Sequence, residues 1–244
     1  GIRDIGVTGV QTCALPILHV RIETAIDETA DIVLLPGRAA WLPASRSLLV
    51  ADLHLGKAAT FRHAGIPVPE GSAQADLARL ERLVAESQAR RLIILGDLFH
   101  ARSGCTEQVF AEFTAARARM AATEVLLVVG NHDRTIGRLP PELGIDSCFR
   151  TLDEPPFHFV HEPATDLPEP HRTAFTIAGH LHPTLSIRGP AGDRISERCF
   201  VAEEDVLVLP AFGSFTGGHR VVARSEEHTS ETPVTPISRM PSSA

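Results

Sequence analysis

Short apolar runs alternate with glycine- and histidine-bearing turns along the whole chain. Residues 31–35 (DIVLL) read as a strand closed by Pro36 and Gly37. Residues 47–51 (SLLVA), 91–95 (RLIIL) and 125–129 (VLLVV) have the length and apolar density of buried strands. Leu77, Leu80, Leu83 and Val84 recur at helical spacing through 73–89, and Val109, Phe110 and Phe113 mark one face of a second helix over about 107–120. This strand–helix–strand rhythm predicts a largely parallel α/β core. Trp41 falls in a turn-rich stretch and reads as a core or rim aromatic. After Asp133 the character changes. Residues 157–161, 173–178, 199–202 and 206–209 are short strand-like runs, and no long helix is evident. A second, mainly antiparallel sheet is expected there. No linker, composition break or internal repeat divides the halves, so they form one domain.

The chemistry-bearing residues fall where the strands end. The run 47–51 delivers Asp52 and His54, which in an extended segment point to the same side and reach one cation. Asp97 and His100 follow the run 91–95, and Gly130-Asn131-His132-Asp133 follows the run 125–129. His161 closes the next strand, and Gly179-His180-Leu181-His182-Pro183 closes another. A glycine followed by Asn, His and Asp is poor packing material but offers an oxygen ligand, a proton donor and a carboxylate that can hold it. Carboxyl ends of strands are where sites form in α/β sheets. Carboxylate, amide oxygen and imidazole without thiolate suit divalent ions such as Mn, Fe or Zn. From the residues alone, His158 competes with His161, which is favoured because it sits at the strand end before Glu162-Pro163.

Composition adds limits rather than identity. The chain has 244 residues, 43% apolar and 22% charged, ordinary values for a globular domain. A net charge of −7 argues against a general polyanion-binding surface, although a local basic groove remains compatible with it. Four cysteines include no CxxC pair, so neither a zinc ribbon nor a disulfide framework is indicated, and their scatter fits a reducing cytoplasm. No apolar run approaches the roughly 18–20 residues of a membrane span. Residues 1–17 and 224–244 resemble translated sequencing-adapter sequence. They are expected to stand outside the fold, the tail as disordered chain, leaving 18–223 as the folded domain.

The ordered series D-x-H, G-D, G-N-H-D, H and G-H-x-H resembles the calcineurin-like metallophosphoesterase superfamily. That resemblance implies a two-sheet α/β/β/α sandwich and a site for two divalent metal ions. It implies Asp52, His54, Asp97 and His182 around one metal, and Asp97, Asn131, His161 and His180 around the other. Two cations need a shared ligand, and the family pattern makes Asp97 the bridge. A water between them would attack phosphorus in line, with His132 protonating the leaving oxygen or stabilising the phosphoryl charge. Asp133 would orient and charge His132. Many relatives carry Glu at that position, so Asp133 is a shorter arm.

The segments 51–57 (ADLHLGK), 96–100 (GDLFH), 161–163 (HEP), 179–183 (GHLHP) and 210–215 (PAFGSF) are similar to the ligase-associated DNA damage response endonucleases, the PdeM family. The resemblance covers nearly all of 18–223. It implies an Mn-dependent phosphodiesterase or endonuclease acting on DNA during repair, in association with a DNA ligase, a helicase and a second nuclease. Hydrolysis of small phosphoesters or nucleotides is the alternative, and a non-catalytic scaffold is disfavoured by the intact ligand set and His132. Lys57, the only lysine, is a candidate phosphate contact or a surface lysine, and His100 a substrate contact or a rim histidine. Arg90, Arg91, Arg117, Arg119, Arg134 and Arg138 could line an approach to the site; solvated ends of elements are the favoured reading for the first four, and Arg134 and Arg138 are the better phosphate candidates. No zinc finger, helix-turn-helix or aromatic stacking motif is present, so DNA binding would carry little sequence preference.

Overall fold

The computed structural model describes residues 2–6, 17–23, 29–69, 71–163, 174–188, 194–203 and 205–221. Its first sheet runs in sequence order: β1 (Ile2–Gly6), β2 (Leu18–Glu23), β3 (Thr29–Leu35), β4 (Ala39–Leu42), β5 (Ser47–Val50), β6 (Arg91–Leu95), β7 (Glu124–Val128) and β8 (Ser147–Phe149). β1 to β5 pair antiparallel and β5 to β8 pair parallel. Connection length decides the change. Residues 36–38 and 43–46 are too few to return the chain to its starting end, so β3, β4 and β5 alternate in direction. Between β5 and β6 the chain forms α1 (Lys57–His63) and α2 (Ser72–Ser87), and between β6 and β7 it forms α3 (Glu107–Arg119). Such crossovers allow parallel neighbours. The expected parallel core is therefore the half that carries helices. Trp41 lies in β4, where it faces Leu48 and Val33 across the sheet and is half-buried beside the helical layer, a rim position.

The second sheet has the order β14 (Val201–Glu203), β15 (Val206–Val208), β11 (Phe175–Ala178), β10 (Phe157–Phe159) and β9 (Leu152–Glu154). It is mixed rather than mainly antiparallel. Its three central strands run parallel, and only the outer two pair antiparallel. Short runs cannot reveal direction. Here the long excursions between β10 and β11 and between β11 and β15 bring the chain back to the same end. A small third sheet, β13 (Arg194–Arg198), β12 (Pro183–Arg188) and β16 (His219–Val221), packs Val221 against Val201 and Val208 of the second.

Two apolar cores separate the layers. One lies between the helices and the first sheet, from Leu77, Leu80 and Phe113 to Leu48, Ile94 and Leu127. The other lies between the sheets, from Leu49, Ile93 and Val128 to Phe159, Ile177 and Leu207. Strands β5, β6 and β7 are buried on both faces, which is why they read as unbroken apolar runs. The leader, expected outside the fold, places Ile2–Gly6 as an edge strand against β2, whose open backbone groups accept any extended partner. The expected disordered tail lies outside the described residues.

Candidate active site

Five loops meet where the parallel strands of both sheets end. The loop after β5 and the loop after β6 are joined by backbone bonds, from His54 N to Asp97 O at 2.8 Å and from Leu55 N to Leu98 O at 2.8 Å. Asp97 Oδ1 accepts the His132 N–H at 2.9 Å, which adds the loop after β7. The second sheet joins through His180 N, which donates to Asp52 Oδ2 at 2.8 Å, and through His161 Nδ1, 2.9 Å from Leu95 O; within that sheet Gly179 N donates to His161 O at 3.0 Å and links its two loops.

The backbone is strained where these loops converge. Asp52, His54, Asp97, His180 and His182 all have positive φ, between 44° and 70°. Left-handed backbone at a non-glycine residue costs of order 1–3 kcal/mol each. The expectation that Asp52 and His54 share a side as alternate residues of an extended segment is corrected: both leave the sheet in the left-handed region, and the turn brings them together. Glycine at two neighbouring positions has a steric cause. A Cβ on Gly96 would lie 2.1 Å from His161 Nδ1, and one on Gly130 would lie 2.2 Å from Asp97 Oδ1.

Two groups of side chains result. In one, His54 Nε2 stands 3.2 Å from His182 Nε2, and His182 Nε2 stands 3.3 Å from Asp52 Oδ1. In the other, His161 Nε2 stands 2.9 Å from Asn131 Oδ1, 3.2 Å from His180 Nδ1 and 3.5 Å from Asp97 Oδ2. Asp97 Oδ2 also lies 3.7 Å from His54 Nε2, so this carboxylate faces both groups. All seven residues that the sequence singled out as metal candidates are brought together.

The arrangement fits divalent cations. Asp52 Oδ1 is buried and accepts no hydrogen bond. His161 Nδ1 lies 2.9 Å from the Leu95 carbonyl, so its N–H donates there and Nε2 faces oxygen and nitrogen acceptors. Donors about 2.1 Å from one ion at angles near 90–110° are about 3.0–3.4 Å apart, the spacing found here. The electrostatics agree. Burial, and then the charges of His182 and His132, outweigh the pull of Asp97 and push His54 down to about 3, so it is neutral. Burial alone would raise Asp97, but His161 and the His132 N–H bring it down to about 2. Burial would lower His161, yet Asp97 and Asp52 push it up to about 9. Two buried carboxylates thus draw a proton onto His161 as their countercharge.

His132 is half-buried, with Nδ1 2.5 Å from the His100 carbonyl and Nε2 3.9 Å from Asp97 Oδ2. Asp133 does not orient it, contrary to expectation. As the third residue of α4 (Asn131–Ile136), Asp133 turns back to accept the Gly130 N–H at 3.0 Å and the Phe99 N–H at 3.2 Å. It is too short to pass its own helix start, so it ties two loops together. Burial pushes its carboxyl up. His158 in β10 pairs with Asp153 in β9 and lies outside both groups.

The remaining candidates divide. His100 is no rim residue: its ring stacks on His132 at 4.9 Å, and its Nδ1 lies 3.3 Å from His54 Nδ1. Burial and nearby Lys57 push it down to about 4. Lys57 and His54 line a cavity of about 310 Å³ beside the site. Arg134 is held by Glu162 at 2.6 Å, and Arg138 is exposed past the end of α4. Phe61 carried no signal in the linear sequence, and Phe215 entered only as the last residue of the 210–215 segment; their rings meet edge to face 5.7 Å apart beside His100. These rings come from distant segments, which a linear scan does not join.

Comparison with known proteins gives a consistent picture. Residues 45–197 match the family described as calcineurin-like phosphoesterase. The crystal structure of Pseudomonas putida nuclease MPE is 40% identical, with a TM-score of 0.68 over 85% of this chain and 93% of that one. Two solved structures are more distant at 17% identity: an Aquifex aeolicus protein of unknown function (56% of this chain, 78% of that one, TM-score 0.38) and the Escherichia coli phosphoesterase Yfce (67%, 77%, 0.34). No curated protein matches the chain.

Proposed function

This chain belongs to the calcineurin-like phosphoesterase family, and from that premise we propose that it is a two-metal-dependent endonuclease cutting phosphodiester bonds in DNA, with manganese as its working cation. It is a metal-dependent phosphoester hydrolase, and its family binds two divalent metals. The observation that carries the reading is the convergence of two donor groups on one buried, strained loop cluster with Asp97 between them. Support for a nuclease comes from the 40% identity to a Pseudomonas putida protein described as one.

Asp52, His54, Asp97 and His182 would hold one cation, and Asp97, Asn131, His161 and His180 the other. When bound, the pair supplies Lewis acidity to the phosphoryl group and to an attacking water. The chain supplies the rest. His132 donates Nδ1–H to the His100 carbonyl, which fixes the ring. Its Nε2 then holds the proton that the leaving oxygen receives. Lys57 brings a cation to the mouth of the site, where a phosphate of the substrate would pass. A role in DNA repair follows from the same reading, as the context in which such cuts are useful.

The test is hydrolysis by the Mn-supplemented protein of a generic phosphodiester, a phosphomonoester, and single- and double-stranded DNA. Internal cuts in DNA are expected, falling by roughly 10²–10⁴-fold in His132→Ala. Turnover of the small esters with DNA untouched would overturn the nuclease reading in favour of a small-phosphoester hydrolase. Titrations with Fe and Zn beside Mn decide the cation.

A further inference from the structure

Phe215 is the one aromatic among the exposed large apolar side chains of the described residues. It is also held in an unusually fixed setting. Its neighbour Ser214 gives its backbone N–H to Asp76 Oδ2 at 2.6 Å and its hydroxyl to Asp76 Oδ1 at 2.5 Å. Asp76 itself is buried, and Arg79 lies 2.9 Å from it. From the other side Arg198 Nη2 donates to Ser214 O at 2.8 Å and to Thr216 O at 3.0 Å. The residues on either side of Phe215 are pinned, while the ring between them remains 37% exposed. An exposed phenyl ring gains nothing from water, and an anchored loop positions its side chain before any ligand arrives.

The ring is the outer end of a continuous series. Phe215 meets Phe61 edge to face at 5.7 Å. Phe61 lies nearly parallel to His100, at 13° and 6.5 Å, and His100 stacks on His132 at 4.9 Å. The series therefore leads from the surface to the imidazole assigned above to the leaving oxygen. Phe215 and Lys57 line the same cavity. The lining thus includes both a planar apolar ring and a cation, a combination suited to a flat heterocycle attached to a phosphodiester.

We propose that Phe215, supported by Phe61, is a positioning residue that stacks a nucleobase flanking the scissile phosphate. The assignment rests on the hydrolase reading and goes further, since it states that the enzyme reads a nucleoside and not only a phosphodiester. Base stacking on an aromatic side chain tolerates any base, so the preference is for the nucleoside over a simple ester rather than for one sequence.

The experiment compares wild type, Phe215→Leu and Phe61→Leu. Leucine keeps apolar bulk and removes the π face. Turnover is followed on thymidine 5′-(p-nitrophenyl) phosphate and on methyl p-nitrophenyl phosphate, which share a leaving group and differ in the nucleoside. The expected result is that Phe215→Leu lowers the ratio of kcat/KM for the nucleoside ester over the methyl ester by about tenfold, within the roughly 5- to 100-fold range of one base stack, mainly through KM. Phe61→Leu should lower it less. An unchanged ratio, whether both rates fall together or neither moves, would overturn the stacking role and leave the hydrolase reading standing. A second arm needs no turnover: a dinucleotide carrying 2-aminopurine should lose fluorescence on binding wild type and keep it with Phe215→Leu. Equal quenching by both proteins would overturn the proposal. Quenching by wild type alone, in a protein inert on both esters, would support stacking while removing the hydrolase reading.

Discussion

Strands β5, β6 and β7 have two ends, and the chain treats them oppositely. At the amino ends, charges are matched. Arg91, the first residue of β6, forms a two-pronged pair with Glu154 at 2.5 and 2.9 Å, and its Nε faces Glu124 of β7 at 3.4 Å. Arg117 reaches Asp146 at 3.2 Å, and Arg119 grips both oxygens of Glu81 at 2.7 Å. At the carboxyl ends, charges and lone pairs are left facing one another. Asp52 Oδ1 has no donor, acceptors converge on His161 Nε2, and five of the residues sit in left-handed backbone. The same strands therefore carry satisfied ion pairs at one end and unsatisfied, strained groups at the other. Matched pairs hold a fold, whereas unmatched donors held rigidly together need a ligand to complete them. This contrast also removes four arginines from the candidate DNA surface. Arg90, Arg91, Arg117 and Arg119 belong with the amino ends of β6 and β7, away from the site, and the last three are engaged by acidic partners.

The contrast can be broken at either end. The largest effect is expected at Asp97, which faces both donor groups. Asp97→Ala should cost roughly a thousandfold or more in phosphodiester turnover, because Lewis-acid assistance is worth several kcal/mol, while circular dichroism shows the fold retained. Retained activity would remove Asp97 as a shared ligand. Next comes Gly96→Ala, which forces a Cβ against His161 at a φ of +77°. It should lower both stability, by about 1–3 kcal/mol, and turnover. Stability lost with turnover intact would mean that the His161 ring position does not matter.

Removing the metals sharpens the comparison in a different way. A cation at a hundred times its Kd stabilises by about 2.7 kcal/mol, so chelation should lower the melting midpoint measured by calorimetry. The gap should also depend on pH. In the metal-free protein His161 is raised from 6.5 to about 9, so its proton supports folding below about pH 6.5 and that support is lost as pH rises through about 9. The difference between loaded and chelated midpoints should therefore widen across that window. A constant or narrowing gap would contradict the countercharge role of His161. The smallest effect belongs to the other end. Arg91→Ala should cost about 1 kcal/mol of stability and leave kcat unchanged, as befits a partly exposed pair. A fall in kcat there would show that the two ends are coupled.

Much of this was legible in the sequence because it is local. Apolar run length fixed β5, β6 and β7 and the two long helices, since a strand buried on both faces has no room for polar residues. The series Asp52, His54, Asp97, Asn131, His161, His180 and His182 stood out because each follows such a run. What the chain could not announce was anything set by contacts between distant segments. The role of Asp133 depends on the Phe99 amide, 34 positions away. Whether Arg91 was free or paired depended on Glu154, 63 positions away. The direction of β10, β11 and β15 depended on the path of the excursions between them. The ring series through Phe61, His100 and Phe215 exists only because Asp76 and Arg198 fix the last loop beside the first helix. Periodicity and strand ends are properties of neighbours in the chain. Pairing, strain and stacking are properties of neighbours in space, and only the folded chain decides those.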